Sequence, residues 1–277
     1  MISRNELYEK LRQKTGRMTL IAGPPMLDNK ELAAETAEQL TTLCSRLDIS
    51  LIFKAAYKRV NSTMAEEFSG LGAEPALKHL KQLGKTFQVP VQTDVYNELD
   101  VFIAARYADV LQIPAFLFRD TSLLEASAGT GKIVNIRKGL TIRGSEMSEA
   151  VQKIRRKGGS AVFLTERGTM HGYDDVVVDF RNIVTMSRNN VPLFLDLSNG
   201  IPETTGPVSE QAMLNTAFQL AKGALAAGAD GIMITAHAHP AMATASEGYC
   251  YPVSILEPIL EGLASFKQLL NRDEAMQ

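Results

Sequence analysis

Short apolar runs alternate with amphipathic stretches along the whole chain. Runs at 19–22, 51–54, 89–94, 109–112, 133–136, 161–165, 192–196 and 231–235 are short and bounded by turn residues, and they read as buried strands. Between them apolar positions recur at helical spacing. The stretch 30–47 shows this with Leu32, Ala33, Thr36, Ala37, Leu40, Leu43, Cys44 and Leu47, and 74–87 and 211–227 follow the same pattern. Helix-stopping glycines stand before three of the strands, at Gly131, Gly158-Gly159 and Gly228. Strand–helix alternation repeated eight times predicts an α/β chain folded as a (β/α)8 TIM barrel. A doubly wound open sheet is the alternative. It calls for G-x-G-x-x-G after the first strand, and Ala22-Gly23-Pro24-Pro25 does not supply it. No linker or low-complexity segment interrupts the pattern, so 19–277 reads as one barrel domain and 1–18 as a short N-terminal extension.

Three of the apolar runs end on a cation: Lys54, Arg137 and, just past the sixth run, Arg167. A buried strand tolerates a charge only where it leaves the core, so these cations mark strand ends. Lys58, Arg59 and Lys138 follow within a few residues. In a barrel the functional mouth forms at the C-terminal ends of the strands. Those ends read Pro24-Pro25, Lys54, Asp94, Gln112, Arg137, Arg167, Asp196 with Asn199, and His237. With parallel strands, all of these cations are expected on one rim, which would bind an anionic small molecule.

Composition narrows the partners. A net charge of −2, with 22% charged residues, leaves no basic face for nucleic acid. Cys44 and Cys250 match no metal or redox spacing and are expected to be reduced thiols of a cytoplasmic protein. The N-terminal MISRNELYEKLRQKTG is charged and helical in pattern, with no apolar signal region, and no run approaches the roughly 20 apolar residues of a membrane span.

Several blocks together resemble one known family. They are F-K-A-A-Y at 53–57, Q-T-D-V at 92–95, D-V-L-Q-I-P-A-F-L at 109–117, T-G-K-I-V-N-I-R-K at 130–138, E-R-G at 166–168, G-Y-D-D-V-V-V-D at 172–179 and L-E-P at 256–258. Their order and spacing are similar to those of 3-deoxy-D-manno-octulosonate 8-phosphate synthases, from about Leu20 to Leu260. That family belongs to a superfamily of phosphoenolpyruvate-condensing barrels that also includes an aromatic-pathway synthase. The resemblance implies a transferase that joins phosphoenolpyruvate to arabinose 5-phosphate in lipopolysaccharide biosynthesis, as a cytoplasmic homotetramer. It implies that Lys54, Gln112, Ala115, Arg137 and Arg167 hold the phosphate and carboxylate of phosphoenolpyruvate. Arg137 stands where the family has lysine, and its planar guanidinium keeps the charge and can grip phosphate bidentately. Lys54, Asp94 and Arg167 are the expected catalytic groups, with Asp94 orienting water or Lys54.

The acceptor side departs from the pattern. Family members carry K-A-N-R-S after the second strand; this chain has Arg59-Val60-Asn61-Ser62-Thr63. Asn61 is retained for acceptor hydroxyls and Arg59 replaces lysine, but Ser62 stands in place of a phosphate-binding arginine. Tyr96-Asn97 replaces His-Glu after the third strand, and His171 lies where the family has an aromatic residue. The family's metal positions read Pro25, Asn199, Thr235 and Ser246 or Glu247. Proline and threonine make no divalent site, so neither a metal nor any other cofactor is expected. His237, with His239 two residues on, is expected in the substrate site or in loop hydrogen bonds. Three functions follow as alternatives: a metal-independent synthase of this family, a related condensing enzyme with another aldehyde, or a non-catalytic anion-binding paralogue.

Overall fold

The computed structural model describes residues 4–12, 16–58, 71–159, 161–170, 176–198, 210–243 and 250–275. Eight parallel strands form the barrel: β1 (Thr19–Gly23), β2 (Ser50–Lys54), β3 (Val91–Asp94), β4 (Val110–Ile113), β5 (Ile133–Arg137), β6 (Val162–Glu166), β7 (Leu193–Asp196) and β8 (Gly231–His237). Each pairs with the next, and β8 closes on β1 with Thr19 opposite Gly231. The helices between them are α1 (Lys30–Arg46), α2 (Ala73–Phe87), α3 (Glu98–Ala104), α4 (Thr121–Gly129), α5 (Met147–Arg156), α6 (Phe180–Ser187) and α7 (Glu210–Ala226), with α8 (Glu257–Ala275) after β8. The expected (β/α)8 barrel is the fold.

Local chemistry explains where the elements begin and stop. The Asn29 side chain accepts from the Leu32 N–H at 2.9 Å and starts α1, whose buried face holds Ala33, Thr36, Ala37, Leu40, Leu43 and Cys44. β3 begins at Val91 rather than 89, and β7 at Leu193 rather than 192, because Pro90 and Pro192 have no N–H for the ladder. Gly228 ends α7 with φ +107, a conformation that strains other residues.

Other elements lie outside the eightfold alternation. Cys250–Pro252 forms a short strand parallel to the end of β8. The segment 4–12, helical in its sequence pattern and part of the extension, forms a helix (Arg4–Arg12) that packs on the barrel interior. Its Leu7, Tyr8 and Leu11 cluster with Ile21, Ile52, Val110, Ile133, Phe163, Phe194 and Met233. Tyr8 stacks on Phe163 at 6.1 Å between centroids, and Phe163 meets Phe194 edge-on at 5.4 Å.

Side chains alternate faces along a strand, so the inward residues can be traced upward from this apolar floor. Above Ile133 comes Asn135, above Val110 comes Gln112, and above Phe163 comes Thr165. These join Gln92 in a buried polar belt. Gln92 donates to Gln112 Oε1 at 2.8 Å, Asn135 donates to Gln92 Oε1 at 3.4 Å, and Thr165 donates to Asn135 Oδ1 at 2.8 Å. All four are fully buried, and each is satisfied by its neighbours.

Candidate functional site

One more step up the inward face brings the strand-end charges. Lys54 follows Ile52, Asp94 follows Gln92, Arg137 follows Asn135, Arg167 follows Thr165 and Asp196 follows Phe194. Lys54 Nζ lies 2.9 Å from Asp94 Oδ2, and the Gln112 amide donates to Asp94 Oδ1. Arg137 forms an ion pair with Asp196 across the barrel, from β5 to β7. Lys54 and Arg137 keep 16% and 11% of their side chains exposed, so both line the mouth without facing open solvent.

Asp196 is the centre of the arrangement. Burial alone pushes its carboxyl up, but Arg137 first, then Arg167, the Ser198 N–H and Lys54, hold it below the usual carboxylate range. Cations from β2, β5 and the turn after β6 therefore act on one buried carboxylate. From the sequence Asp196 is legible only as a strand end, with no role attached; its inward parity with Phe194 is the signal that could have found it. Ser198 donates its N–H to Asp196 Oδ1 at 2.9 Å, and its hydroxyl accepts from the Thr235 N–H at 2.8 Å. Asp196 is thereby tied to β8. At the end of β1, a Cβ on Gly23 would lie 2.2 Å from the Lys54 carbonyl oxygen, so the close approach of β1 and β2 here requires glycine.

Ala115 is buried in a 3-10 turn (Ala115–Leu117) that follows Pro114 at the end of β4. His237 ends β8 and is only 1% exposed; its Nδ1 accepts the His239 N–H at 2.8 Å, which leaves the ring proton on Nε2 when the ring is neutral. Burial pushes His237 below the ordinary histidine range, against the pull of Asp28. His239 turns away to Glu35 at 3.1 Å. Arg59, Asn61, Ser62, His171, Asn199, Ser246 and Glu247 lie outside the described residues.

One expectation is corrected. Lys138 does not join the rim. One residue beyond Arg137, it takes the opposite face and is 0% exposed. Its Nζ lies 3.4 Å from Glu166 Oε1 and donates to the carbonyls of Gly139, Ile142 and Gly168 and to Thr169 Oγ1, at 3.0–3.3 Å. The rim is also less cationic than expected, because Asp94 and Asp196 each hold one of its cations.

Beside the mouth, Lys58 pairs with Asp100 at 2.7 Å, and its ammonium lies 5.6 Å from the Tyr96 ring centroid. Asp100 also accepts the Tyr96 N–H at 3.0 Å, while Asn97 caps α3 by accepting from Asp100 N–H at 2.9 Å. The Tyr96-Asn97 pair thus builds a loop around Lys58.

At the positions that hold metal in some members of the resembled family, the described residues do not fit one. Pro25 offers no donor atom, and the Thr235 hydroxyl is engaged with Ser198 Oγ at 3.0 Å. Among the described residues, no three His, Cys, Asp or Glu side chains converge to hold a metal ion.

A parallel barrel with cations gathered around a buried carboxylate at its C-terminal mouth defines a small-anion-binding enzyme class. Residues 8–258 match the model of the DAHP synthetase I family, and the chain belongs to that family. Curated relatives cover nearly the full length. A 2-dehydro-3-deoxyphosphooctonate aldolase of Pisum sativum is 34% identical over 95% of this chain and 92% of its own. One of Desulfosudis oleivorans is 35% identical over 91% of each chain. An Arabidopsis thaliana aldolase of the same name is 31% identical over 100% of this chain and 97% of its own.

Proposed function

We propose that this enzyme condenses phosphoenolpyruvate with arabinose 5-phosphate, in the manner of a 3-deoxy-D-manno-octulosonate 8-phosphate synthase. The observation that carries the reading is the set of strand-end cations on one inward face of the mouth: Lys54 paired with Asp94, Arg137 paired with Asp196, and Arg167 two residues past Thr165. A donor with a phosphate and a carboxylate needs several cations from different strands, held in place before it arrives. C3 of phosphoenolpyruvate attacks the aldehyde carbon, whose oxygen takes a proton. Water adds at C2, and inorganic phosphate leaves from the tetrahedral centre with the bridging oxygen.

In this reading Arg137 and Arg167 bind the phosphate, with Gln112 and Ala115 lining the donor site. Lys54 acts at the reacting end, oriented by Asp94. Asn199 and His237 belong to the same pocket, and Arg59, Asn61 and Ser62 to the acceptor side. The chemistry is metal-independent, because Pro25 and Thr235 supply no ligand. The enzyme works in the cytoplasm as a homo-oligomer, a tetramer on the family pattern, within lipopolysaccharide biosynthesis. Among the described residues, no helix is long and apolar enough to cross a membrane.

Phosphate release from phosphoenolpyruvate and arabinose 5-phosphate, with and without a chelator, tests the reading. Release that the chelator leaves unchanged is expected. Release that stops with the chelator would refute metal independence alone. No release would refute the acceptor or the chemistry, and a calorimetric titration with phosphoenolpyruvate then separates them. A second reading keeps the donor and changes the aldehyde. The Lys58–Asp100–Tyr96 group beside the mouth favours it, and a panel of aldehydes tests it.

A further inference from the structure

Arg137 and Arg167 sit back to back with a second charged pair on the same two strands. Arg137 is in register with Thr165, and the Lys138 N–H continues the ladder to the Thr165 carbonyl at 2.8 Å. Lys138 and Glu166 therefore lie on the outer face of the sheet, directly behind the two arginines. Both are 0% exposed. A buried ion pair adds little stability over a well-packed apolar pair, so stability alone gives no reason to bury these charges.

Their hydrogen bonds give a geometrical reason. Glu166 Oε1 accepts the Arg167 N–H at 2.9 Å and the Gly168 N–H at 2.7 Å, which fixes the backbone from which the Arg167 side chain projects. Lys138 Nζ gathers the Gly139 and Ile142 carbonyls from the segment after Arg137, and the Gly168 carbonyl and Thr169 hydroxyl from the segment after Arg167. One ammonium thus holds the turns beyond both arginines together. Two guanidiniums acting on a single carboxylate repel each other, so their separation has to be imposed by the backbone.

We propose that Lys138 and Glu166 are positioning residues: the buried pair sets the spacing and direction of Arg137 and Arg167 so that both meet one phosphate group of the donor. The proposal rests on the donor-site reading above, and the test separates the two.

The double variant Lys138→Met, Glu166→Gln removes both charges at nearly constant volume. Calorimetric titrations with phosphoenolpyruvate and, separately, with inorganic phosphate compare it with the parent protein. The folded variant is expected to bind both anions about tenfold more weakly, the scale of a small misplacement of binding groups. In turnover, KM for phosphoenolpyruvate rises while kcat stays within about twofold, a split that general destabilisation does not produce. Affinity unchanged within about twofold in the folded variant overturns the proposal, as does a collapse of kcat at constant KM. Should the double variant fail to fold, Thr169→Val removes a single partner of Lys138, and both anions are expected to bind roughly twofold to threefold more weakly. Unchanged binding there overturns the proposal too. A parent protein that binds phosphate but not phosphoenolpyruvate refutes the donor reading and leaves the phosphate comparison to decide the positioning role; one that binds neither overturns both.

Discussion

The two ends of the barrel interior are built from the same strands and hold opposite chemistry. At the N-terminal end, Ile21, Ile52, Phe163, Phe194 and Met233 close over Leu7, Tyr8 and Leu11 of the N-terminal helix. At the C-terminal end, two residues or four further along, the same faces carry Lys54, Arg137, Arg167 and Asp196. Gln92, Gln112, Asn135 and Thr165 form the layer between. On β3 to β6 the inner face therefore grades from apolar through neutral polar to ionic, while on β2 and β7 Lys54 and Asp196 follow the apolar floor directly. Each layer desolvates the one above it, which strengthens the electrostatics at the mouth. The floor should govern stability and the mouth function, and substitutions at each end can break that division.

The largest effect is expected at the mouth. Arg137→Ala removes the cation that pairs with Asp196 and, in the proposed reading, a phosphate ligand. Its kcat/KM for phosphoenolpyruvate should fall at least about a hundredfold, equivalent to roughly 2.7 kcal/mol of transition-state stabilisation. Steady-state kinetics with varied phosphoenolpyruvate measure it. A loss smaller than about threefold would remove Arg137 from the donor site. At the floor, Phe163→Ala deletes the ring that stacks on Tyr8 and meets Phe194 edge-on. It should cost about 3–5 kcal/mol of stability in denaturant unfolding. The KM for phosphoenolpyruvate of the folded fraction should hold; if it shifts as much as in Arg137→Ala, the two ends are not separate.

The middle layer sharpens the comparison. Asn135→Ala removes the donor to Gln92 and the acceptor for Thr165, and leaves both neighbours buried with fewer partners. A loss of about 1–3 kcal/mol in stability is expected. Because Gln92 holds Gln112, and Gln112 donates to Asp94, a smaller rise in KM should accompany it. A stability loss with no change in KM would mean that the belt fills space without aligning the mouth.

These layers are partly legible in the amino-acid sequence. The strands are short apolar runs, and hydrophobic burial places such runs whatever the tertiary detail, so all eight lie close to their expected limits. The mouth cations stand out because charge is rare at the end of a buried run. The pairing of Arg137 with Asp196 does not, because ion pairing across the barrel joins residues far apart in the chain. Lys138 misleads for a simpler reason. It neighbours Arg137 in sequence but not in direction, since alternation along β5 sends residues 137 and 138 to opposite faces. The Arg4–Arg12 helix is legible as a helix, but its place on the barrel floor is not, because its three inward residues, Leu7, Tyr8 and Leu11, are few among charges. The Cys250–Pro252 strand is too short for any periodicity.

The smallest expected effect concerns His237, on the strand that both ends share. Burial holds its pKa below the ordinary value, so folding favours the neutral ring. The unfolded chain takes up the proton at about pH 6.5, while the native state resists it to lower pH. Between those two values the unfolded state binds more protons, and stability must fall as pH decreases. The contribution is fully present above about pH 6.5 and is lost as pH falls through the folded value. In His237→Gln that titration is gone, and the slope of unfolding free energy against pH should flatten below about pH 6.5. Denaturant midpoints across that range for both proteins measure the difference. Parallel slopes would mean that the ring is open to protons in the folded state and that the mouth is wetter around β8 than its 1% exposure implies.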